Sequence, residues 1–356
     1  MESIRRVGSG MFVVVAWCML SGCSEGGGGS SASSASIQAA GQTVPTANLL
    51  FKSNFGPGVT LGPPDLLYPT GGFQALTGMD GETGYSWPVA AVGSNLSAVQ
   101  LIAPVPVTSS TVSNYVRSEI RSVVGPKGDP VSELFMETVD NGGVGNITSA
   151  QVDLLINRPW TIGDIPHLYI SFWFKLQPNL VASLNPNVSS GNWLSMTEFK
   201  TGGHNNTWRG DYRSLVVIVK GTDGALYWVT RGDNNANRLA TDSSGSPVSC
   251  PHTVYCPLVT YWREENRTVP VPIDTWAKME VYWHRSSGDE GRYWAAVNGQ
   301  VIADHHGPTM GEFGLPINRI FVALAYGGGH PPIESHATGI EIWDGFPCGD
   351  GVPCQQ

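Results

Sequence analysis

The chain has 356 residues, of which only 14% are charged, against 44 glycines, 25 prolines and 12 tryptophans. Few charges with many turn formers and aromatics fit short strands joined by loops and argue against a helical protein. A formal net charge of −9 without a basic run excludes the usual electrostatic route to nucleic acid, and the length suffices for a sizeable core without a structural metal.

The first element in chain order is a targeting signal. Arg5 and Arg6 precede an apolar stretch from Met11 to Leu20 that is too short to span a bilayer. Leu20-Ser21-Gly22-Cys23 then has the small-residue spacing of a lipobox. Residues 1–22 are therefore expected to be a lipoprotein signal peptide and Cys23 to carry lipid. Acyl chains, worth ~0.8 kcal/mol per buried methylene, would be the only membrane contact. Ser24 stands where an Asp would retain a lipoprotein at the inner membrane, which directs the expectation to the outer membrane of a Gram-negative cell envelope. Residues 23–47, with Gly26 to Gly29 followed by Ser and Ala, read as a flexible tether.

From residue 48 the pattern changes to short apolar or alternating runs punctuated by Gly, Pro, Asn and Asp. Strands are predicted over 116–124, 151–156, 168–176, 193–200, 214–220, 225–231, 277–284, 293–297, 319–326 and 339–343. Asn298-Gly299 supplies the positive φ of a two-residue hairpin turn, and Asp223-Gly224 marks a second. Ten or more antiparallel strands without a helical period or an internal repeat imply one all-β domain, residues 48–347, built as an antiparallel β-sandwich. For any single tryptophan, such as Trp173 or Trp343, the core is the expected location.

Four cysteines remain beyond the leader and Cys23. Cys250 and Cys256 enclose five residues, as do Cys348 and Cys354, and in an oxidising compartment they read as disulfides, although four cysteines allow three connectivities. Residues 348–356 would form a C-terminal disulfide loop. No zinc-type spacing accompanies them. The oxygen-rich run from Gly232 to Asn237 could hold calcium but lacks the spaced acidic ligands of a known loop, so no cofactor is expected.

The strand from Tyr115 to Val123 is the most informative. Alternation puts Val116, Ser118 and Ile120 on one face and Arg117, Glu119 and Arg121 on the other. Either that charged row is a solvated face with ion pairing of little energetic weight, or it belongs to a binding surface.

Arg117-Ser118-Glu119-Ile120-Arg121 resembles the Arg-(Ser/Thr)-Glu-(Leu/Val)-Arg motif of alginate-lyase-type jelly-roll polysaccharide lyases. Thr197-Glu198-Phe199-Lys200 stands where that family has Gln-Ile-His, and the run from Phe321 to Tyr326 where it has a strand ending in Tyr. The segments from Trp276 to Trp283 and from Glu341 to Gly345 are similar to heparin-lyase-type and laminin-G-like jelly rolls. The resemblance implies a concanavalin A-like fold with one concave sheet. It also implies β-elimination on a uronate-containing polysaccharide; together with the lipobox, the expected protein is a surface-anchored enzyme, and a monomer is expected. Arg117 would neutralise the uronate carboxylate, and Lys200 would assist it or act as base. Tyr326 would be the general acid, with Glu198 in the catalytic set. Glu119 would hold the two arginine forks, Arg121 would bind a neighbouring sugar, and His204, Trp228 and Arg231 would line the cleft. The chain departs from the pattern at Glu198, which replaces a neutral Gln, and at Gly327-Gly328-Gly329, which replaces Asn-Gln. Two other readings follow from the same residues. One is a non-catalytic carbohydrate-binding lipoprotein on this fold. The other is a two-carboxylate hydrolase, which requires Glu119 and Glu198 to face each other.

Overall fold

A computed structural model describes residues 47–143, 146, 148–156, 165–188, 191–201, 212–234, 260–311, 314–327 and 329–348. The leader, Cys23, the tether, His204, Cys250, Cys256 and Cys354 lie outside these residues. The described residues fall within one compact unit, residues 44–356.

Among the described residues nineteen strands run in order. They are β1 (Leu49–Ser53), β2 (Thr60–Leu61), β3 (Asp65–Tyr68), β4 (Gly71–Met79), β5 (Ser86–Trp87), β6 (Leu96–Ile102), β7 (Val116–Val124), β8 (Pro130–Thr138), β9 (Thr148–Leu155) and β10 (His167–Leu176). There follow β11 (Trp193–Thr201), β12 (Arg213–Lys220), β13 (Leu226–Asp233), β14 (Thr260–Asn266), β15 (Trp276–His284), β16 (Arg292–Val297), β17 (Gln300–His306), β18 (Ile317–Gly327) and β19 (Ile333–Trp343).

They form two antiparallel sheets. The eight-stranded sheet has the order β17-β16-β15-β10-β19-β8-β7, with β1 paired to β19. The eleven-stranded sheet runs β14-β13-β12-β11-β18-β9-β6-β4-β2, with β3 and β5 on β4. The all-β sandwich expected from the alternating runs is the observed architecture. The Asn-Gly turn forms as expected, with Asn298 at φ 49° and Gly299 at φ 74° between β16 and β17. Gly224, at φ 83°, closes the turn between β12 and β13.

Alternation along each strand sends one set of side chains between the sheets. Leu194, Met196, Phe199, Val216, Ile218, Ile320 and Val322 from the larger sheet meet Leu168, Ile170, Phe172, Met279, Val281, Trp283 and Ile342 from the smaller one in a single core. Phe199 stacks on Trp283 at 5.7 Å and 7°, so an aromatic pair bridges the sheets. This leaves two outer faces, and the question of function is which residues each one carries.

Candidate functional site

On β11, Phe199 points into the core, so Glu198 and Lys200 on either side of it point to the outer face of the eleven-stranded sheet. They are nonetheless 2% and 7% exposed. Buried charges must be paired, and these are. Lys200 Nζ lies 3.0 Å from Glu198 Oε2, and Arg213 Nη1 donates to Glu198 Oε1 at 2.8 Å. Arg213, at the start of β12, also makes a bidentate pair with Asp233 on β13, both bonds 2.9 Å. Arg231 Nε lies 3.0 Å from the same carboxylate. On the other side of β11, Arg319 of β18 pairs with Asp153 of β9, its Nε donating to Oδ1 at 3.1 Å. The Phe321 ring lies beneath both cations, 4.8 Å from Lys200 Nζ and 4.7 Å from Arg319 Cζ. A ladder of alternating charge therefore crosses five adjacent strands.

The electrostatics of the ladder are set by its burial. Desolvation pushes the Lys200 ammonium down from the ordinary lysine value, and Arg213 and Arg319 add to this while Glu198 opposes it. Burial alone would raise Glu198, but Lys200 and Arg213 outweigh it and hold the carboxyl below its usual range. Asp153 goes the other way, because burial raises it more than Arg319 lowers it.

A groove of about 400 Å3 opens from this ladder along β11, β12 and β13. Its floor is Leu215, Val217 and Val229, and Trp193 and Tyr227 line it further along the strands. Its charged lining is Arg213, Arg231 and Arg263 against the single carboxylate of Glu198.

The structure separates the residues expected to converge. Arg117, Glu119 and Arg121 lie on β7, at the edge of the eight-stranded sheet, and face outward from that sheet. There Arg117 pairs with Glu137, and Arg121 Nε donates to Glu133 Oε1 at 2.6 Å. His336 Nδ1 stands 3.0 Å from the same Glu133 oxygen. Alternation assigned these side chains to one face, but which sheet owns β7 is decided by its pairing with β8. For the same reason Glu119 and Glu198 do not face each other, and a two-carboxylate site built on them is absent.

Tyr326 is in the same sheet as Lys200, yet the two do not meet along the backbone. Lys200 pairs with Arg319, while Tyr326, seven positions further along β18, pairs with Ser149. At 3.2–3.4 Å per residue this is a separation of roughly 23 Å.

Trp228 is a correction. It is 0% exposed and packs in the core, because its neighbours Tyr227, Val229 and Arg231 take the outer face of β13. Trp173 and Trp343 are corrected in the opposite sense, since both are half-buried on the outer face of the eight-stranded sheet and not in the core. Asp233, considered for calcium, is committed to Arg213 and Arg231. Cys348 is disulfide-bonded.

Sequence reasoning missed Arg213, Asp153 and Arg319. The available signal was a lone charge in an otherwise apolar strand, as in Gln151-Val152-Asp153-Leu154-Leu155 and Arg319-Ile320-Phe321-Val322. Such a charge must find a partner on a neighbouring strand.

No protein-family model matches the chain, and no curated protein sequence does. Among solved structures it is similar to the endo-β-1,4-glucuronan lyase of the fungus Trichoderma reesei, with a TM-score of 0.43 and 15% identity over 68% of this chain and 94% of that one. It is also similar to an alginate lyase from a Chlorella virus, with a TM-score of 0.34 and 13% identity over 66% of this chain and 94% of that one. A third similar structure is the metal-free carbohydrate recognition domain of Emp46p, with a TM-score of 0.32 and 9% identity over 67% of this chain and 92% of that one. At such values the chemistry has to be argued from the chain's own residues.

Proposed function

We propose that this chain is a polysaccharide lyase that cleaves a uronate-containing glycan by β-elimination in the groove on the outer face of the eleven-stranded sheet. The observation that carries the reading is the lining of that groove. Three guanidinium groups, two of them sharing Asp233 and the third held by Glu265, surround a cavity with the Glu198 carboxylate in a protein of net charge −9. Local cations of this kind focus an anionic ligand against the long-range field. The apolar floor, with Trp193, offers a surface for sugar rings, while Arg267 covers the Tyr227 ring.

The chemistry follows from the same arrangement. The proton on C5 of a uronate becomes removable when its carboxylate is neutralised by preorganised donors, a role that falls to Arg231 and Arg213. Lys200 sits just behind the groove wall, 3.0 Å from the lining carboxylate of Glu198, and with its ammonium form disfavoured by burial it is the base assigned to take the proton. The C4–O bond then breaks, the departing oxygen takes the proton back from the Lys200 ammonium, and a C4–C5 double bond that absorbs in the ultraviolet is left. Incubation with alginate, glucuronan and glycosaminoglycans tests the reading. A rise in ultraviolet absorbance on one of them is expected, and no unsaturated product on any of them sinks it.

A second reading, a glycan-binding protein without turnover, is favoured by one observation. Each carboxylate of the ladder is already matched by a cation, a closed arrangement suited to holding a ligand. Binding of a uronate oligosaccharide without any unsaturated product would select it.

The two faces make separable predictions. Arg231→Gln removes a groove cation that is partly exposed, and it is expected to raise KM several-fold with the fold intact. Arg117→Ala lies on the other sheet and is expected to leave kcat/KM within about twofold of the parent, as surface changes away from a site do. Steady-state kinetics on the same polymer check both, and a large loss in Arg117→Ala would return that strand to the site.

The lipid anchor at Cys23 remains part of the proposal on sequence grounds. Metabolic labelling with a radioactive fatty acid should mark the protein, and Cys23→Ala should abolish the label.

A further inference from the structure

The geometry points to a second carbohydrate site, for a negatively charged sugar, on the outer face of the eight-stranded sheet. Its place is a pocket of about 320 Å3 whose lining includes Trp173, Ser171, Lys52, Lys127 and Lys278. This site stands on its own and does not require the opposite groove to be catalytic.

The register shows how it is built. One row across the sheet is Lys278–Trp173–Thr338, and the next is Glu280–Ser171–Glu341–Lys52. Between the rows β19 carries a bulge. Trp173 pairs with Thr338 and Ser171 with Glu341, leaving Gly339 at φ 60° as the extra position. Bulges of this kind re-aim side chains beside binding sites. Here glycine is required twice, by the positive φ and by space, since a Cβ at that position would meet Trp173 Cδ1 at 3.1 Å. The bulge thus makes room for a half-exposed indole on a face where most large aromatics are covered.

The polar groups around the indole suit an acidic sugar. Lys52 is held by Glu341 at 2.8 Å. Among the described residues Lys127 and Lys278 have no carboxylate within ion-pair distance, and both line the pocket. Lys127 is delivered by the turn between β7 and β8, and Lys278 by β15. At the floor Ser171 is fully buried, and its hydroxyl is turned to the neighbouring Tyr169 hydroxyl. Three ammonium groups against the carboxylates of Asp129 and Glu341, two of those ammonium groups outside any ion pair, and an aromatic face for the ring are the elements that recognise a uronate or another anionic sugar unit.

The test is isothermal titration of the intact chain with a glucuronate trisaccharide, against a neutral cello-trisaccharide. The chain carries Arg231→Gln, which weakens the groove on the other sheet several-fold, and residual binding there is told apart by its indifference to the two substitutions below. In that background the glucuronate is expected to bind and the neutral sugar to bind much more weakly. Adding Trp173→Ala, or separately Lys278→Glu, should weaken the glucuronate about tenfold, the scale of losing an anchoring contact. Lys278→Glu is an exposed-face change that preserves the fold, so it carries the test if Trp173→Ala does not fold. No binding in the Arg231→Gln chain, equal binding of the neutral sugar, or an affinity unchanged by Lys278→Glu would overturn the proposal.

Discussion

Lys200→Met is expected to reduce turnover of the uronate polymer about a thousandfold, or roughly 4 kcal/mol of barrier, the usual scale for removing a positioned proton acceptor. The substitution keeps the length and apolar stem of the side chain, which lies against the Phe321 ring. Glu198 keeps a partner because Arg213 still donates to its other oxygen, so no buried carboxylate is stranded. The parent's pH dependence provides a second readout. The amine must be neutral to accept the C5 proton, and burial shifts its pKa below the ordinary lysine value. Activity should therefore rise with pH through a limb that lies below the lysine range, and the limb should vanish in the residual activity of the variant. A variant as active as the parent, or one that retains that limb, would remove Lys200 from the chemistry.

Arg319→Met is expected to destabilise the fold by about 3–5 kcal/mol, the cost of removing one partner of a buried ion pair. Arg319 is 2% exposed and Asp153 is 0% exposed. The direction of the Asp153 shift makes the prediction specific. Burial already raises its pKa in the parent, and losing the guanidinium raises it further. A carboxyl whose folded pKa lies above its unfolded one favours folding most in acid, and that advantage is lost as pH rises through the folded value. The deficit of Arg319→Met should therefore be largest at neutral pH and shrink on acidification. Replacing both partners, with Asp153→Leu added, should recover most of the loss, because an apolar pair of similar volume is often no worse than a buried ion pair. Denaturant melts at two pH values check all three statements, and an equal deficit at both would show that the pair is not what the substitution disturbs.

How far these residues could be read from the chain alone depends on the range of the interaction that places them. Strand β7 was expected over 116–124 and forms over those residues, because period-two alternation is local. The same local rule put Glu198 and Lys200 on one face, and it turned Asn298-Gly299 into a hairpin. Sheet membership is not local. Arg117 and Lys200 were assigned to one hollow from a motif, and pairing with β8 in one case and with β12 and β18 in the other put them on opposite sheets. The Asp153–Arg319 pair spans 166 positions, so neither partner announces the other. The first 60 residues of the folded unit gave little signal because several of their strands are two to four residues long, as in β2, β3 and β5. Trp173 was assigned to the core by the general habit of tryptophan. Its exposure comes from a bulge opposite Gly339, which no single-strand pattern contains.

Strand β1 lies along β19, and Asn48 binds the carboxylate of Asp344 through both its backbone and side-chain nitrogens, at 2.6 and 2.8 Å. The first strand of the domain therefore waits for the last, across 296 positions of chain. β19 also separates β10 from β8 in the middle of its sheet, so that the two halves of that sheet stay unjoined until β19 has been made. Loop closure over such a span is slow relative to local pairing. A chain wired this way cannot close that sheet before β19 has emerged, so its earlier strands stay open and extensible until then.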